Sequence, residues 1–132
     1  MSQEKIEQAY RGVVLAWNQG KVDLLVDQMA EDIVIHTALG GVEGEFRGHD
    51  GVRRWWKEFH DVFPDWHVEV LTLRSIGQAT LAQLRQTGHG GESGAPVDQT
   101  LWHVVHWRDG KAARISRHDS ETEALKAVGL RE

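Results

Sequence analysis

The dipeptide Asp109-Gly110 constrains this chain more than any other feature. It separates two stretches, residues 97–108 (VDQTLWHVVHWR) and 111–119 (KAARISRHD), in which apolar and polar residues alternate. Asp-Gly between alternating stretches signals a β-hairpin. Any fold must therefore contain an antiparallel sheet with one apolar face. The turn also fixes which residues share that face. A two-residue turn pairs Arg108 with Lys111 and sets His103 opposite Ser116. A three-residue loop with Gly110 left-handed pairs Trp107 with Lys111. It sets His103 opposite Ile115, Leu101 opposite Arg117 and Gln99 opposite Asp119. A one-residue slip exchanges the faces, so the apolar pattern decides. Only the three-residue loop brings Leu101, Val105 and Trp107 together with Ala113 and Ile115, and it is the expected register. The inner face is then Gln99, Leu101, His103, Val105, Trp107, Ala113, Ile115, Arg117 and Asp119. The outer face is Trp102, Val104, His106, Arg114, Ser116 and His118. An exposed Trp and Val there predict a homodimer formed through the outer sheet face.

Upstream, the spacing of Ile6, Ala9, Tyr10, Val13, Val14 and Trp17 predicts a helix over 3–18, stopped at Gly20. A second helix is expected over 22–29, burying Leu24, Leu25 and Met29. Residues 33–37 read as a strand and 38–48 (ALGGVEGEFRG) as a glycine-rich loop. A third helix, 51–62 with Asp50 as its cap, presents Val52, Trp55, Trp56 and Phe59. Strands follow over 66–73 and 79–87. In the second of these either face could point inward, and Ala82, Leu84 and Gln86 are the preferred inner set. The run 88–94 (GHGGESG) reads as a flexible lip at a pocket mouth. A last helix, 120–128, has the Ser120/Glu123 capping-box spacing and stops at Gly129. The order α-α-β-α-β-β-β-β-α implies an α+β fold, with a curved sheet wrapped around the helices.

The 132 residues suit a single domain, expected to span 1–132, that buries roughly two-thirds of its unfolded surface. No cysteine is present. That excludes disulfides, thiolate metal sites and a cysteine nucleophile, and fits a cytoplasmic location. No apolar run approaches the ~20 residues of a membrane span, and the N-terminus has no apolar signal core. A net charge of −5 argues against a nucleic-acid partner. His103 and His106 lie three apart, on opposite faces of a strand, and no His-Glu-x-x-His motif occurs, so no metal site is expected. No phosphate-binding glycine loop is found.

Several short segments occur in an order that is informative as a set. They are Ala16-Trp17-Asn18-Gln19-Gly20, Glu31-Asp32 ahead of His36-Thr37, and Phe46-Arg47-Gly48-His49-Asp50-Gly51-Val52. Phe63-Pro64-Asp65, His103-Val104, Arg108-Asp109-Gly110-Lys111, Glu123-Ala124-Leu125 and Gly129-Leu130 follow. In these the chain resembles the SnoaL-like branch of the nuclear transport factor 2-like (ketosteroid isomerase-like) superfamily. The resemblance implies a cone-shaped α+β barrel with a deep apolar pocket, a homodimer and no cofactor. It also implies a range of functions, from polyketide cyclases, isomerases, dehydratases and epoxide hydrolases to non-catalytic binding domains. Limonene epoxide hydrolase-like members carry an Arg and an Asp where this chain has Leu84 and Gln86, which argues against that mechanism. SnoaL-like cyclases use a pocket aspartate, for which Asp119 is the late-strand candidate here.

His103, amid apolar neighbours, is the expected acid/base, because imidazole titrates near neutrality. Asp119 would orient it or share its role, and Arg117 or Gln86 would polarise a ligand oxygen. Tyr10, Trp17, Trp55, Phe59, Trp66, Leu84, Gln86 and Leu101 are expected to line the pocket. The partner is a small hydrophobic, possibly polycyclic, ligand. The expected chemistry is isomerisation, cyclisation, dehydration or hydrolysis; non-catalytic binding or dimerisation on the same fold is the alternative.

Overall fold

The structure, a computed structural model, describes residues 2–39 and 42–129. Residues 40 and 41 of the expected glycine-rich loop, and Leu130 of the last matching segment, lie outside the described residues.

Helix α1 (Gln3–Gln19) begins where Ser2 accepts a hydrogen bond from the Lys5 N–H and ends at Gly20, whose φ of 70° is left-handed. Its stripe buries Ile6, Tyr10, Val13, Ala16 and Trp17. Helix α2 (Val22–Asp27) is shorter than expected. Leu25 and Val26 are its buried residues, Leu24 is exposed, and Met29 already belongs to strand β1 (Met29–Leu39). The segment expected as a loop contains strand β2 (Val42–Arg47), which pairs antiparallel with β1, Ile35 opposite Phe46. Its sequence already alternates, Val42, Gly44 and Phe46 against Glu43, Glu45 and Arg47. The glycines obscured that pattern.

Helix α3 (Gly48–Val62) starts one turn earlier than the pattern predicted. Asp50 lies in its first turn, and Arg47 at the cap position makes no side-chain cap bond. Strands β3 (His67–Ile76), β4 (Ala79–His89), β5 (Pro96–Arg108) and β6 (Lys111–His118) form one sheet with β1 and β2, in the order β2-β1-β6-β5-β4-β3. Among the described residues the β1–β6 pair is the only parallel one. Helix α4 (Glu121–Val128) is capped by Ser120, which accepts from the Glu123 N–H. None of the described helices is long and apolar enough to cross a membrane.

The hairpin register corrects the sequence reading. Asp109 (φ 52°) and Gly110 (φ 78°) form a two-residue turn that pairs Arg108 with Lys111. Both central residues have positive φ, the requirement of a type I′ turn. A bulge then restores the apolar match. Trp107 faces Ala112 and His106 faces Arg114, so Ala113 is the extra residue. Beyond it Val105 faces Ile115 and His103 faces Arg117. The tight turn and the common apolar face are therefore compatible, because one inserted residue shifts the strand by one position. Ala112, not Ala113, joins the main core.

That core lies between the inner sheet face and α1, α2 and α3. The outer face is not bare. Helix α4 lies over it, and Val104, expected to be exposed at a dimer interface, is fully buried with Leu81, Ala124 and Ala127. Trp102 is half-buried against the same cluster. The run 88–94 is also more ordered than a lip. Gly88 and His89 extend β4, the Gly91 N–H donates to the Val62 carbonyl at 2.8 Å, and Asp65 accepts from the His89 N–H at 2.7 Å.

Asn18 fixes α1 to the sheet. Its Nδ2 donates to the Val68 carbonyl at 2.8 Å and its Oδ1 accepts from the Val68 N–H at 3.0 Å. Asn18→Ala leaves a half-covered backbone donor and acceptor without partners and is expected to cost about 1–3 kcal/mol, measurable by urea denaturation. A cost below about 0.5 kcal/mol would show that water replaces both bonds.

Candidate functional site

A cavity opens between α1, α3 and the inner sheet face. Helix α1 contributes Tyr10, Val13, Val14 and Trp17, and α3 contributes Trp55 and Phe59. Trp66, just before β3, and Val68 on β3 line it as well. The sheet supplies Thr37 from β1, Leu84 and Gln86 from β4, His103 and Val105 from β5, and Ile115 and Arg117 from β6. Tyr10, Trp17, Trp55, Phe59 and Trp66 give the wall an aromatic part. The ring centres of Trp17 and Trp55 are 4.5 Å apart, those of Trp17 and Phe59 5.6 Å, and those of Phe59 and Trp66 5.5 Å. The cavity volume is about 40 Å³, room for a few waters. The site is thus a narrow aromatic slot rather than an open bowl, and a polycyclic ligand enters only if the walls move.

His103 and Arg117 are directly opposite on adjacent strands. His103 keeps a fraction of accessible surface, as a cavity-lining residue does. Desolvation nonetheless pushes its pKa down to about 3, helped by the charges of Arg117 and His118. The imidazole is therefore neutral at physiological pH, with one donor and one acceptor nitrogen. Burial pushes the Tyr10 phenol well above its usual pKa, so it stays protonated and can donate.

Arg117 belongs to two spaces. Besides the cavity it lines an outer cleft, together with Thr37, His36, Gly44, Glu45 and Asp119. Its side chain is 15% exposed, and its Nη1 lies 3.0 Å from Asp119, whose side chain is 85% exposed. Asp119 accordingly sits in the cleft, not among the cavity-lining residues, and its described contact is with Arg117.

The polar atoms of the wall form a pattern. Tyr10 Oη, the indole nitrogens of Trp17, Trp55 and Trp66, and Arg117 Nε are all buried without a protein hydrogen-bond partner. Covered indoles elsewhere, one buried and one half-buried, do find partners. Trp107 Nε1 donates to Thr80 Oγ1 at 3.0 Å, and Trp56 Nε1 donates to the Trp17 carbonyl at 3.2 Å. Gln86 Oε1 accepts from Gln99 Nε2 at 3.1 Å, which leaves it one further acceptor position.

The structure brings together most of the residues picked out from sequence. Tyr10, Trp17, Trp55, Phe59, Trp66, Leu84, Gln86, His103 and Arg117 all line the cavity. Leu101 does not, because it is fully buried in the core beneath it. Thr37 was not picked out, yet it lines both cavity and cleft with Arg117. The β1–β6 register explains its place: His36 is paired with Ser116, so the next residue on β1 lies beside Arg117.

A six-stranded, mostly antiparallel sheet curved around N-terminal helices, with a cavity between them, defines a nuclear transport factor 2-like fold. The sequence profile of the SnoaL-like domain family matches residues 8–115, and the chain belongs to that family. Solved structures of the same fold include a nuclear transport factor 2-like protein of unknown function from Burkholderia pseudomallei. It is 16% identical, with a TM-score of 0.80 over 98% of this chain and 100% of that one. A putative polyketide cyclase from Sinorhizobium meliloti is 22% identical, with a TM-score of 0.70 over 84% of this chain and 94% of that one. TerC, co-crystallised with polyporic acid, is 15% identical, with a TM-score of 0.75 over 93% of this chain and 97% of that one. No functionally curated protein matches the sequence.

Proposed function

We propose that this chain binds a compact, largely apolar small molecule in the aromatic slot and transfers a proton on it without a cofactor. The carrying observation is the His103–Arg117 pair at the slot, one side chain neutral and the other cationic. His103, the acid/base, takes a proton from a carbon next to a ligand carbonyl. The carbonyl oxygen becomes an enolate oxygen, held by Arg117. The same proton returned to a different carbon gives isomerisation. For ring closure the enolate carbon attacks a second carbonyl carbon of the ligand: a C–C bond forms as that C=O π bond breaks, and the proton passes from His103 to the new alkoxide oxygen. A neutral imidazole with a low pKa is a weak base, but the imidazolium it becomes is stabilised by the enolate formed beside it. Asp119, in the outer cleft, positions Arg117 rather than touching the ligand. The co-crystal of TerC with a small organic acid supports a small-molecule role for the fold.

The test is a thermal-shift screen of cyclic ketones, lactones and aromatic polyketide-like compounds, followed by turnover assays on the hits. His103→Ala is expected to lower turnover by about 10²–10⁴-fold while binding persists. Unchanged turnover would remove His103 from the chemistry. The second reading is a non-catalytic binder, favoured by the weak basicity of His103 and by the apolar Leu84 in the wall. It predicts hits that bind and do not turn over in the wild type.

A further inference from the structure

Resting on the reading of the slot as a ligand site, we infer that the outer cleft is the entrance to the slot and that the Arg117 side chain is its gate, drawn across the passage and free to swing out into the cleft. The first observation is a shared wall. Thr37 and Arg117 line the slot, and they also line the cleft, whose other described residues are His36, Gly44, Glu45 and Asp119. The cleft is wide, about 490 Å³, beside a slot of about 40 Å³. The second observation is where the slot wall meets water. Among its described residues, Val14, Thr37, His103 and Arg117 are the ones not buried. Thr37, Arg117 and His103 are neighbours across β1, β6 and β5, so accessible surface gathers at the cleft end. Trp17, Trp55, Phe59, Trp66, Leu84 and Val105 in the rest of the wall are buried, and close-packed side chains part only at a cost.

The third observation is how lightly Arg117 is held. Thr37 is short and β-branched, with χ1 restricted by its strand, so it cannot clear the passage. Arg117 is long and flexible, and it can move with the backbone in place. Its side chain is 15% exposed, its Nε has no protein partner, and its Nη1 lies 3.0 Å from Asp119, whose side chain is 85% exposed. A pair with so exposed a partner is weak, and a guanidinium that moves into water recovers hydration lost on burial. Glu45 offers a second carboxylate in the cleft for the open position. It accepts from Arg47 Nε at 2.6 Å and lies 3.5 Å from His36 Nε2, and a carboxylate has room for a further donor. The closed position keeps Arg117 opposite His103, as the proposed chemistry requires, and the open one admits the ligand.

Quenching of tryptophan fluorescence tests this on the full chain, without a ligand. Acrylamide is small and neutral and enters an opened slot, whereas iodide, a hydrated anion, stays out of an apolar one. Trp17, Trp55 and Trp66 border the slot, while Trp56 and Trp102 are half-buried elsewhere. Arg117→Ala removes the gate and is expected to raise the acrylamide quenching constant about twofold, with iodide quenching at the wild-type value. Arg117→Met keeps nearly the length of the side chain, loses the charge that draws it to the cleft, and should be quenched no more than wild type. A residue that mattered only for its ion pair would give the same rise in both variants. Asp119→Asn changes an exposed side chain, loosens the gate and should raise acrylamide quenching about 1.3- to 1.5-fold. Asp98→Asn, which breaks the exposed pair with Arg85, should leave it unchanged. No rise in Arg117→Ala, or an equal rise in Arg117→Met, overturns the gate. So does a rise in iodide quenching that matches acrylamide in Arg117→Ala with no response to Asp119→Asn, the mark of a loosened fold. Each of these leaves the slot standing as a ligand site with another entrance, and a ligand screen without hits leaves the quenching result untouched.

Discussion

Phe46→Ala is expected to lower the unfolding free energy by about 3–5 kcal/mol, the cost of removing a fully enclosed aromatic side chain. Phe46 is 2% exposed although it comes from a strand at the edge of the sheet. It is enclosed from two sides, by β1 and by α3, which carries Arg54. Ile35 is its partner on β1, α3 packs over it, and Arg54 lies above its ring at 5.1 Å. The approach of α3 is so close that a Cβ on Gly51 would lie 3.1 Å from the Phe46 carbonyl carbon. Helix and strand cannot collapse into the space without losing that contact, so the cavity stays open and the full penalty applies. Urea denaturation followed by circular dichroism measures it. A loss below about 1 kcal/mol would mean that residues 42–47 behave as the surface loop their glycines suggest.

The contrast between β2 and α1 shows what the sequence made legible. Helix α1 was readable, although its equally local Ser2 cap was not picked out, because its stripe and its stop are local: the run from Ile6 to Trp17, and Gly20. Helix α4, with Ser120 and Glu123, is the same case. Strand β2 owes its existence to β1, and a strand made by pairing leaves a faint local signature, here three alternating pairs diluted by glycine. The hairpin failed in a different way. The turn chemistry of Asp109-Gly110 and the apolar alternation gave conflicting registers, and only a bulge satisfies both. Ala112 and Ala113 are identical side chains, so no pattern could say which of them is the extra residue. The face assignment of His103, Val105, Ile115 and Arg117 nevertheless stands, because it rests on alternation and not on the turn. Lining could not be separated from filling either. Leu84 and Leu101 are directly paired inward-facing leucines, yet only Leu84 borders the slot. That difference depends on where α1 and α3 leave a gap, which is a property of three packed elements.

His103 should make the protein unusually sensitive to mild acid, and the size of the effect follows from the pKa that burial imposes. In the unfolded chain the imidazole binds a proton near pH 6.5, whereas in the folded chain it does so only at about pH 3. Above pH 6.5 both states are neutral at this residue and it adds no pH dependence. As pH falls below 6.5 the unfolded state takes up a proton that the folded state refuses. Stability then drops by about 1.4 kcal/mol per pH unit until the folded pKa is reached. Between pH 7 and pH 4.5 the wild type should lose about 2–3 kcal/mol more than His103→Gln, whose amide replaces the imidazole without titrating. Asp32, Asp65 and Asp98 also have lowered pKa values, from their pairs with Arg108, His89 and Arg85. Their contributions are present above the usual carboxylate pKa and fade below it, and they are common to both proteins, as is the lowered His118. The difference between the two pH profiles therefore isolates His103. Denaturation midpoints at half-unit intervals of pH measure it. Parallel profiles would mean that His103 protonates as freely in the fold as in water; the slot would then hold a cationic pair only below about pH 6.5, and near neutrality the imidazole would be a stronger base than burial makes it.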